Sequence, residues 1–215
     1  MTVERPKRKY DSRLRQAQAA NTRRSILMAA QMLFERDGYV ATTMDAIAAE
    51  AGVALKTVYL AFATKSGLLR SLWDLLLKGD TDEAPVATRP WYVELLEEPD
   101  AIRKVELIAH NSCMVKRRIG RLLGVIRSAA EVDPDGAGLW QLIQTDFYEN
   151  QRALVESLAG QGGLRDGLDP GTAADILWTL NHPDVWLLLV GQRKWTPDQF
   201  EAWFADTLHA QLIGR

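Results

Sequence analysis

The sequence of 215 residues has a single cysteine, Cys113, and lacks any apolar run long enough to cross a membrane. One cysteine excludes an internal disulfide and is typical of proteins in a reducing cytoplasm, where we expect this chain to work. The longest apolar run, VWLLLVG at 185–191, is far shorter than the roughly 18 residues that indicate a transmembrane helix. The basic N-terminus lacks the apolar stretch and cleavage site of a secretion signal. No membrane partner is therefore expected.

Signatures of catalysis and of metal binding are missing as well. The three histidines, His110, His182 and His209, lie far apart and show no metal-ligand spacing. No glycine-rich loop follows a strand, and no nucleophile elbow appears. His110 and Cys113 would meet on one face of a helix, but such a pair alone is a weak sign of a nucleophile. We therefore expect no enzymatic activity, no metal and no cofactor.

Charge is distributed unevenly along the chain. Residues 1–80 hold 13 lysines and arginines against 8 acidic residues, a net charge of +5, whereas residues 81–215 hold 13 against 20, a net charge of −7. A basic N-terminal part and an acidic C-terminal part indicate that a polyanion would bind the N-terminal part only.

Apolar residues recur at helical spacing almost throughout, and no segment shows the alternation of a strand, so the expected fold class is all-α. The first helix is predicted to end at Gly38, and Pro183 to interrupt a later one. The other helices are predicted in ATTMDAIAAEAG (41–52), LKTVYLAF (55–62) and KSGLLRSLWDLLLK (65–78), and at about 99–117, 119–132, 135–160, 170–181 and 197–212.

Two short helices joined by the residues around Gly52 form the pattern of a helix-turn-helix. In the second helix, Val58 and Phe62 are spaced to face inward. A helix this short gains little stability alone, so its outer face is interpreted as the part that enters a DNA major groove. The candidates for base contacts are Leu55, Lys56, Thr57 and Leu60. Phosphate contacts are expected from Tyr59, from Lys65 at the next helix start, and from Thr42 or Thr43 at the preceding one.

Ordinary surface roles remain alternatives for parts of this interface. Lys56 would also suit a solvated surface position, and Tyr59 would suit half-buried packing. The basic segment RPKRKYDSRLRQ (5–16) fits either a solubilising tail or a contact to phosphates or the minor groove.

The stretch ATTMDAIAAEAGVALKTVYLAFATKSGLL resembles the DNA-binding domain of the tetracycline-repressor (TetR) family of transcription regulators. A Thr cap, Ile-Ala, Ala-Gly-Val, a Thr-aliphatic-Tyr step, Phe, Lys and Leu-Leu stand at the family's spacing over about residues 20–80. Where the family usually has Ser or Thr to cap the recognition helix, this chain has Ala54, which predicts a missing side-chain cap. The residue before the phenylalanine, Ala61, and the pair after the lysine, Ser66-Gly67, also depart from the common pattern.

The resemblance implies a homodimer that binds a palindromic double-stranded DNA operator, and a small molecule that releases it from the C-terminal domain. It divides the chain into a basic flexible arm (1–19), a helix-turn-helix DNA-binding domain (20–80) and a helical regulatory and dimerisation domain (81–215). An activator of the same fold, and a structural DNA-binding protein that needs no ligand, remain alternatives to a repressor.

The stretch from Asp169 to Leu208 is similar to the last two helices of many family members, which dimerise. The resemblance implies a dimer interface that contains Trp178, Trp186, Phe200, Trp203, Phe204 and Leu208; for the stripe on the last helix, domain core is the alternative. A mostly apolar pocket for a small apolar or aromatic effector is expected between the preceding helices. Its candidate lining residues are His110, Cys113, Met114, Trp140, Phe147 and Trp178, each with ordinary core packing as the alternative.

Overall fold

The computed structural model describes residues 9–78 and 88–213. Regular structure in these two ranges is helical, which confirms the all-α class. Within the same ranges, no helix has the length and apolar character needed to span a bilayer. The chain divides into two compact units between Leu72 and Trp73, inside the fourth helix. The boundary predicted at residues 80–81 lies outside the described residues.

The first unit contains α1 (Lys9–Ala41), α2 (Met44–Glu50), α3 (Leu55–Phe62) and the start of α4 (Lys65–Lys78). Residues 9–19 of the predicted flexible arm are helical, because RLRQAQAA is made of strong helix formers; residues 1–8 of the arm lie outside the described part. The backbone of α1 leaves helical geometry at Gly38, where the sequence predicts the end of a helix. The predicted bounds of α3 and α4 are confirmed.

Side chains from all four helices form the core of the first unit. Val58 and Phe62 face inward from α3, as predicted, with exposed fractions of 0% and 7%. They pack among other buried apolar residues of the unit, which include Ile26, Phe34, Ile47, Leu68, Leu69 and Leu72. The two short helices are therefore held by tertiary packing rather than by their own propensity.

In its described residues, the second unit contains the end of α4 and six further helices. They are α5 (Pro90–Glu97), α6 (Ala101–Ala130), α7 (Pro134–Gly160), α8 (Pro170–Leu180), α9 (Pro183–Trp186) and α10 (Pro197–Leu208). Short π-helical segments, Leu187–Gln192 and His209–Ile213, continue α9 and α10. Pro183 does restart the chain as a new helix, as predicted.

Two predictions for this unit are wrong. The breaker-rich stretch TDEAPVATRP (81–90) predicts a loop, and the next helix is predicted only from about residue 99, but Pro90 opens α5 at the first helical position, where its missing N–H costs no hydrogen bond. The two helices predicted at about 99–117 and 119–132 are one continuous helix, α6. Gly120 lies within α6 at a point where the ring of the buried Trp186 packs closely over the backbone.

A buried lysine, Lys104, ties α6 to its neighbours. Its Nζ donates to the carbonyl oxygen of Leu96 at 3.0 Å, to Oγ of Ser157 at 2.6 Å and to Oε1 of Gln161 at 2.8 Å. Burial lowers the pKa of Lys104. All three donors of the ammonium are thus matched by acceptors from the end of α5 and from α7.

Candidate DNA interface and effector cavity

The turn between α2 and α3 has a closed backbone geometry. Gly52 has φ +66°, in the left-handed region where a residue without Cβ has no steric cost. The N–H groups of Ala51 and Val53 donate to the carbonyls of Ile47 and Ala48 at 2.9 and 3.0 Å. These bonds satisfy the end of α2 and fix the direction in which α3 leaves it.

The two helices of this motif are capped differently. Oγ1 of Thr43 accepts the N–H of Ala46 at 3.1 Å and caps α2. Ala54 occupies the N-cap of α3 and offers no side-chain acceptor, as its sequence predicts. The carbonyl of Ala54 still accepts the N–H of Thr57 at 2.8 Å. The free N–H groups at the start of α3 thus lack the side-chain partner that most such helices have.

The outer face of α3 carries all five residues that the sequence assigns to it. Lys56 is exposed, and Tyr59 and Leu60 have exposed fractions of 49% and 78%, while Leu55 and Thr57 are half-buried beside them. A cationic, hydroxyl-bearing and apolar surface on one short helix is suited to base edges and phosphates in a major groove.

Thr42 and Lys65 have their polar groups turned into the unit. Thr42 is only 2% exposed, and its hydroxyl donates to the carbonyl of Gly38 at 2.8 Å. Nζ of Lys65 donates to the carbonyls of Tyr39 and Thr42 at 2.8 and 3.0 Å and lies 4.2 Å from the centre of the Tyr39 ring. Lys65 therefore fixes the segment between α1 and α2 against the start of α4. Thr43, by contrast, is exposed beside the start of α2.

Arg23 holds the C-terminal end of α3, a role that the sequence did not predict. Its Nη1 donates to the carbonyl of Ala61 at 2.7 Å and its Nη2 to Oγ of Ser71 at 3.0 Å, while the guanidinium lies 4.1 Å from the centre of the Phe62 ring. A cation at the C-terminal end of α3 also complements the helix dipole. The contact joins residues 38 positions apart, so no local pattern announces it.

A cavity of about 160 Å³ lies within the second unit, between the end of α4 and helices α5, α6 and α7, near the end of α8. Its walls are mainly apolar and include Trp73, Trp91, Tyr92, Ile108, Ile119, Leu123, Ile143, Phe147 and Leu154. The polar residues that line it are Asn111, Ser112, Lys116, Asp146, Asn150, Gln151 and Asn181. Apolar walls with a few polar groups are the usual composition of a small-molecule site.

Of the six residues predicted for the effector pocket, Phe147 lines this cavity. The three on α6 lie on other faces of that helix. His110 is on the surface with Nδ1 2.8 Å from Oε1 of Glu201, and Met114 is 45% exposed. Cys113 is fully buried, with Sγ 3.4 Å from the carbonyl oxygen of Pro197. Helical spacing identifies residues that share a face, but not which face meets a cavity.

The two tryptophans predicted for the pocket are half-buried and do not line the cavity. Trp140 lies near the start of α7. The ring of Trp178, on α8, makes edge contacts with Tyr148 and His182 at centroid distances of 6.3 and 5.1 Å. Its aromatic contacts are therefore within the chain.

Lys116 is the polar centre of the cavity and was missed by sequence reasoning. It is 5% exposed and donates to Oδ1 of Asn181, whose Nδ2 donates in turn to Oγ of Ser112 and Oε1 of Gln151, both at 3.0 Å. Burial lowers the pKa of Lys116 to about 7. The sequence signal that could have identified Lys116 is its position on the apolar stripe of α6, at helical spacing from Ile119 and Leu123.

Four of the six side chains predicted for a dimer interface are buried inside the single chain. Trp186 is 7% exposed, and Phe200, Phe204 and Leu208 are 0% exposed. Phe200, Phe204 and Leu208 form the core that the sequence left as the alternative for this stripe, because α10 turns it toward α6, and Trp186 packs against Phe200 in the same core. Trp178 and Trp203 are half-buried. A shallow groove on the outer side of α8 and α10 is lined by smaller residues: Thr172, Asp175, Ile176, Thr179, Leu180, Thr207 and Gln211.

Comparison with known families relates the first unit to DNA-binding regulators. The model of a family described as bacterial regulatory proteins, tetR family, matches residues 26–72, which include α2, α3 and the turn between them. The HTH-type transcriptional regulator TtgR of Pseudomonas putida is 27% identical over 177 residues, which cover 80% of this chain and 83% of TtgR.

Solved structures share the fold over nearly the whole chain. A complex of SmeT with triclosan has a TM-score of 0.70 at 20% identity and covers 90% of this chain and 92% of its own. SmeT is the repressor of the Stenotrophomonas maltophilia multidrug efflux pump SmeDEF. A Saccharomonospora viridis protein in complex with choline has a TM-score of 0.70 at 20% identity and covers 91% of this chain and 100% of its own.

Proposed function

Because this chain belongs to the tetR family of bacterial regulatory proteins, we propose that it is a repressor that binds a palindromic operator as a homodimer and leaves it when a small molecule fills the cavity. The observation that carries the proposal is the exposed outer face of α3, which the first unit holds in a fixed orientation. Two structures with the same fold contain small molecules, triclosan in one and choline in the other, which supports an effector role for the cavity.

On DNA, the residues of α3 divide into two roles. Leu55, Lys56, Thr57 and Leu60 read base edges, through guanine acceptors for the lysine and thymine methyl groups for the apolar side chains. Tyr59 and Thr43 contact phosphates. Lys65 and Thr42 do not contact DNA themselves but position the start of α2. In that position, Thr43 and the backbone N–H groups of α2 reach the DNA backbone.

In the dimer, two copies of α3 would enter successive major grooves roughly 34–36 Å apart. The outer groove of α8 and α10 is the surface we assign to the partner copy, with Trp178 and Trp203 contributing their exposed parts. The effector favours a dimer whose two copies of α3 no longer match this spacing. Coupling of this kind typically amounts to about 1–3 kcal/mol, or about 5- to 150-fold in operator affinity.

Selection of genomic DNA fragments with the purified protein at near-physiological salt tests this function. Recovery of one inverted repeat is expected, with half-sites one DNA turn apart. Retention of all fragments alike, lost steeply as salt is added, would instead indicate a structural DNA-binding protein. The genes next to the recovered repeat then identify compounds to test for release.

Two substitutions on α3 separate base reading from phosphate binding. Lys56→Ala should relax the preference at one position of each half-site, at a cost of about 1–3 kcal/mol. Tyr59→Phe removes a hydroxyl and should weaken binding to all sequences alike. Repeating the selection with each variant gives the base preferences directly. Arg103→Ala, which removes an exposed positive charge from the second unit, is the control and should leave the preferences intact; unchanged preferences in Lys56→Ala would refute the base contact.

A further inference from the structure

Lys116 is a buried amine whose protonated form has no buried counter-charge. Asn181, a neutral amide, is the one hydrogen-bond acceptor for its ammonium in the described part of the chain, and no described carboxylate forms an ion pair with it. Lys104 on the same helix shows the contrast, with three acceptors for its three donors. A buried charge with donors to spare is costly in free energy. At Lys116 this free-energy cost falls on a residue that lines the cavity, where a ligand could lower it.

The groups around this ammonium are arranged to accept an anionic partner. The rings of Phe200 and Phe204, which do not line the cavity, lie with their centres 5.3 and 5.4 Å from Nζ, within cation–π distance. Asn181 uses its amide nitrogen on Ser112 and Gln151, which fixes its oxygen toward the lysine. Asp146 also lines the cavity but is exposed to solvent, so its charge is screened.

The volume of the cavity limits the body of a ligand. Its mainly apolar walls surround about 160 Å³ and are partly open to solvent. An apolar protein cavity of about 150 Å³ accommodates one benzene, so about one aromatic ring fills the surrounded part. Trp73, Trp91 and Phe147 supply aromatic surfaces from three different helices, which suits contact with both faces and the edge of a ring.

We propose that the cavity binds an organic anion, a carboxylate or phenolate on about one aromatic ring, with its charged oxygen on the ammonium of Lys116. The inference deepens the proposed function and rests on it only in taking this cavity as the effector site. The anion supplies the counter-charge that the chain lacks, and the apolar walls hold the ring. Uncharged aromatic compounds of the same shape gain the ring contacts alone, and cations are repelled.

Calorimetric titration of the full-length protein with benzoate, benzamide and choline tests the charge preference. Benzoate and benzamide have nearly the same shape and differ in charge, so the ratio of their dissociation constants isolates the contribution of the anion. Benzoate is expected to bind about tenfold or more tighter than benzamide, since hydrogen bonds to charged groups are the stronger class. Choline should not bind. Equal binding of benzoate and benzamide, or no binding of benzoate, would overturn the proposal.

Lys116→Met is the variant that assigns the preference to this residue. Methionine retains the length and apolar stem of lysine without its charge, so benzamide affinity should be preserved while the advantage of benzoate disappears. A variant that keeps the full advantage of benzoate would place the anion elsewhere and refute the proposal. If the variant does not fold, the ratio of the benzoate and benzamide dissociation constants in the unaltered protein still tests the proposal.

Release of the selected operator, followed by fluorescence anisotropy of labelled DNA, separates this inference from the proposed function. If benzoate binds through Lys116 but leaves the operator complex intact, the anion site stands and the effector role fails. If neutral aromatics bind and release the operator as well as benzoate does, the effector role stands and the anion site fails. Release by benzoate that is lost in Lys116→Met supports both.

Discussion

Replacing Lys116 by methionine is expected to abolish a pH dependence of stability that amounts to about 5 kcal/mol across alkaline pH. The lysine is 5% exposed, and its pKa falls from an ordinary 10.5 to about 7 in the folded chain. Each unit of such a difference corresponds to about 1.4 kcal/mol. The effect is large because the ammonium loses its hydration and gains only a neutral amide and two aromatic rings in exchange.

The sign follows from which state binds the proton. Above pH 10.5 the lysine is neutral in both the folded and the unfolded chain. As the pH falls toward 7, the unfolded chain takes up a proton that the folded chain does not, so folding becomes progressively less favourable. Below pH 7 both states are protonated and the difference stays constant. The contribution is thus greatest at high pH and is lost as the pH falls from about 10.5 to about 7.

Chemical denaturation of the unaltered protein and of Lys116→Met over this range measures the effect. The variant should be the more stable of the two near neutral pH, and its advantage should shrink as the pH rises. Cys113 and His182 also titrate near Lys116, with pKa values that burial raises and lowers respectively. Comparing two otherwise identical proteins cancels most of their contribution. A stability difference that does not change with pH would contradict the burial of an unpaired ammonium.

Lys104→Met is the matched control on the same helix. Lys104 is also buried, but its three donors have three acceptors. Methionine there removes the three hydrogen bonds of the ammonium, while Ser157 still donates to the Leu96 carbonyl at 2.6 Å. Hydrogen bonds to a charged group contribute about 1.5–3 kcal/mol each. Lys104→Met should therefore destabilise the protein at neutral pH, where Lys116→Met stabilises it.

Gly120→Ala is expected to destabilise the protein although it adds a residue with higher helix propensity. A Cβ at Gly120 would lie 2.6 Å from Nε1 and 3.0 Å from Cδ1 of Trp186. The tryptophan is 7% exposed, and its ring packs edge-on against Phe200 at a centroid distance of 4.9 Å. Since the ring has little room to move, the methyl group overpacks the core at a cost of about 1–3 kcal/mol.

Gly124→Ala, one turn further along α6, provides the reference for propensity alone. The nearest atom to a Cβ there is Cδ1 of Leu187 at 4.0 Å, an ordinary van der Waals contact. This variant should be more stable than the unaltered protein by about 0.8–1 kcal/mol, the usual difference between glycine and alanine in a helix. Thermal denaturation of the two variants should therefore shift the midpoint in opposite directions. Stabilisation of both would show that Trp186 does not pack against Gly120 as described.

Local sequence signals were sufficient for the recognition helix. The bounds of α3 and α4 follow from apolar spacing and from the turn at Gly52, and the inward positions of Val58 and Phe62 follow from the same spacing. These signals act within one or two helical turns, which is the range over which propensity and periodicity operate. The same signals failed at Pro90, because a proline is as compatible with the first position of a helix as with a loop.

The sequence by itself thus determined the helical class, the helix-turn-helix and the residues on its outer face. Tertiary structure alone decided that Thr42 and Lys65 turn inward, that Arg23 holds the end of α3, and that the aromatic stripe of α10 is core. It also decided that Lys116 lines a cavity and that its hydrogen-bond acceptor is Asn181, 65 positions away in the chain. The physical reason is that periodicity defines the faces of one helix, whereas the partner of each face depends on contacts between helices distant in sequence.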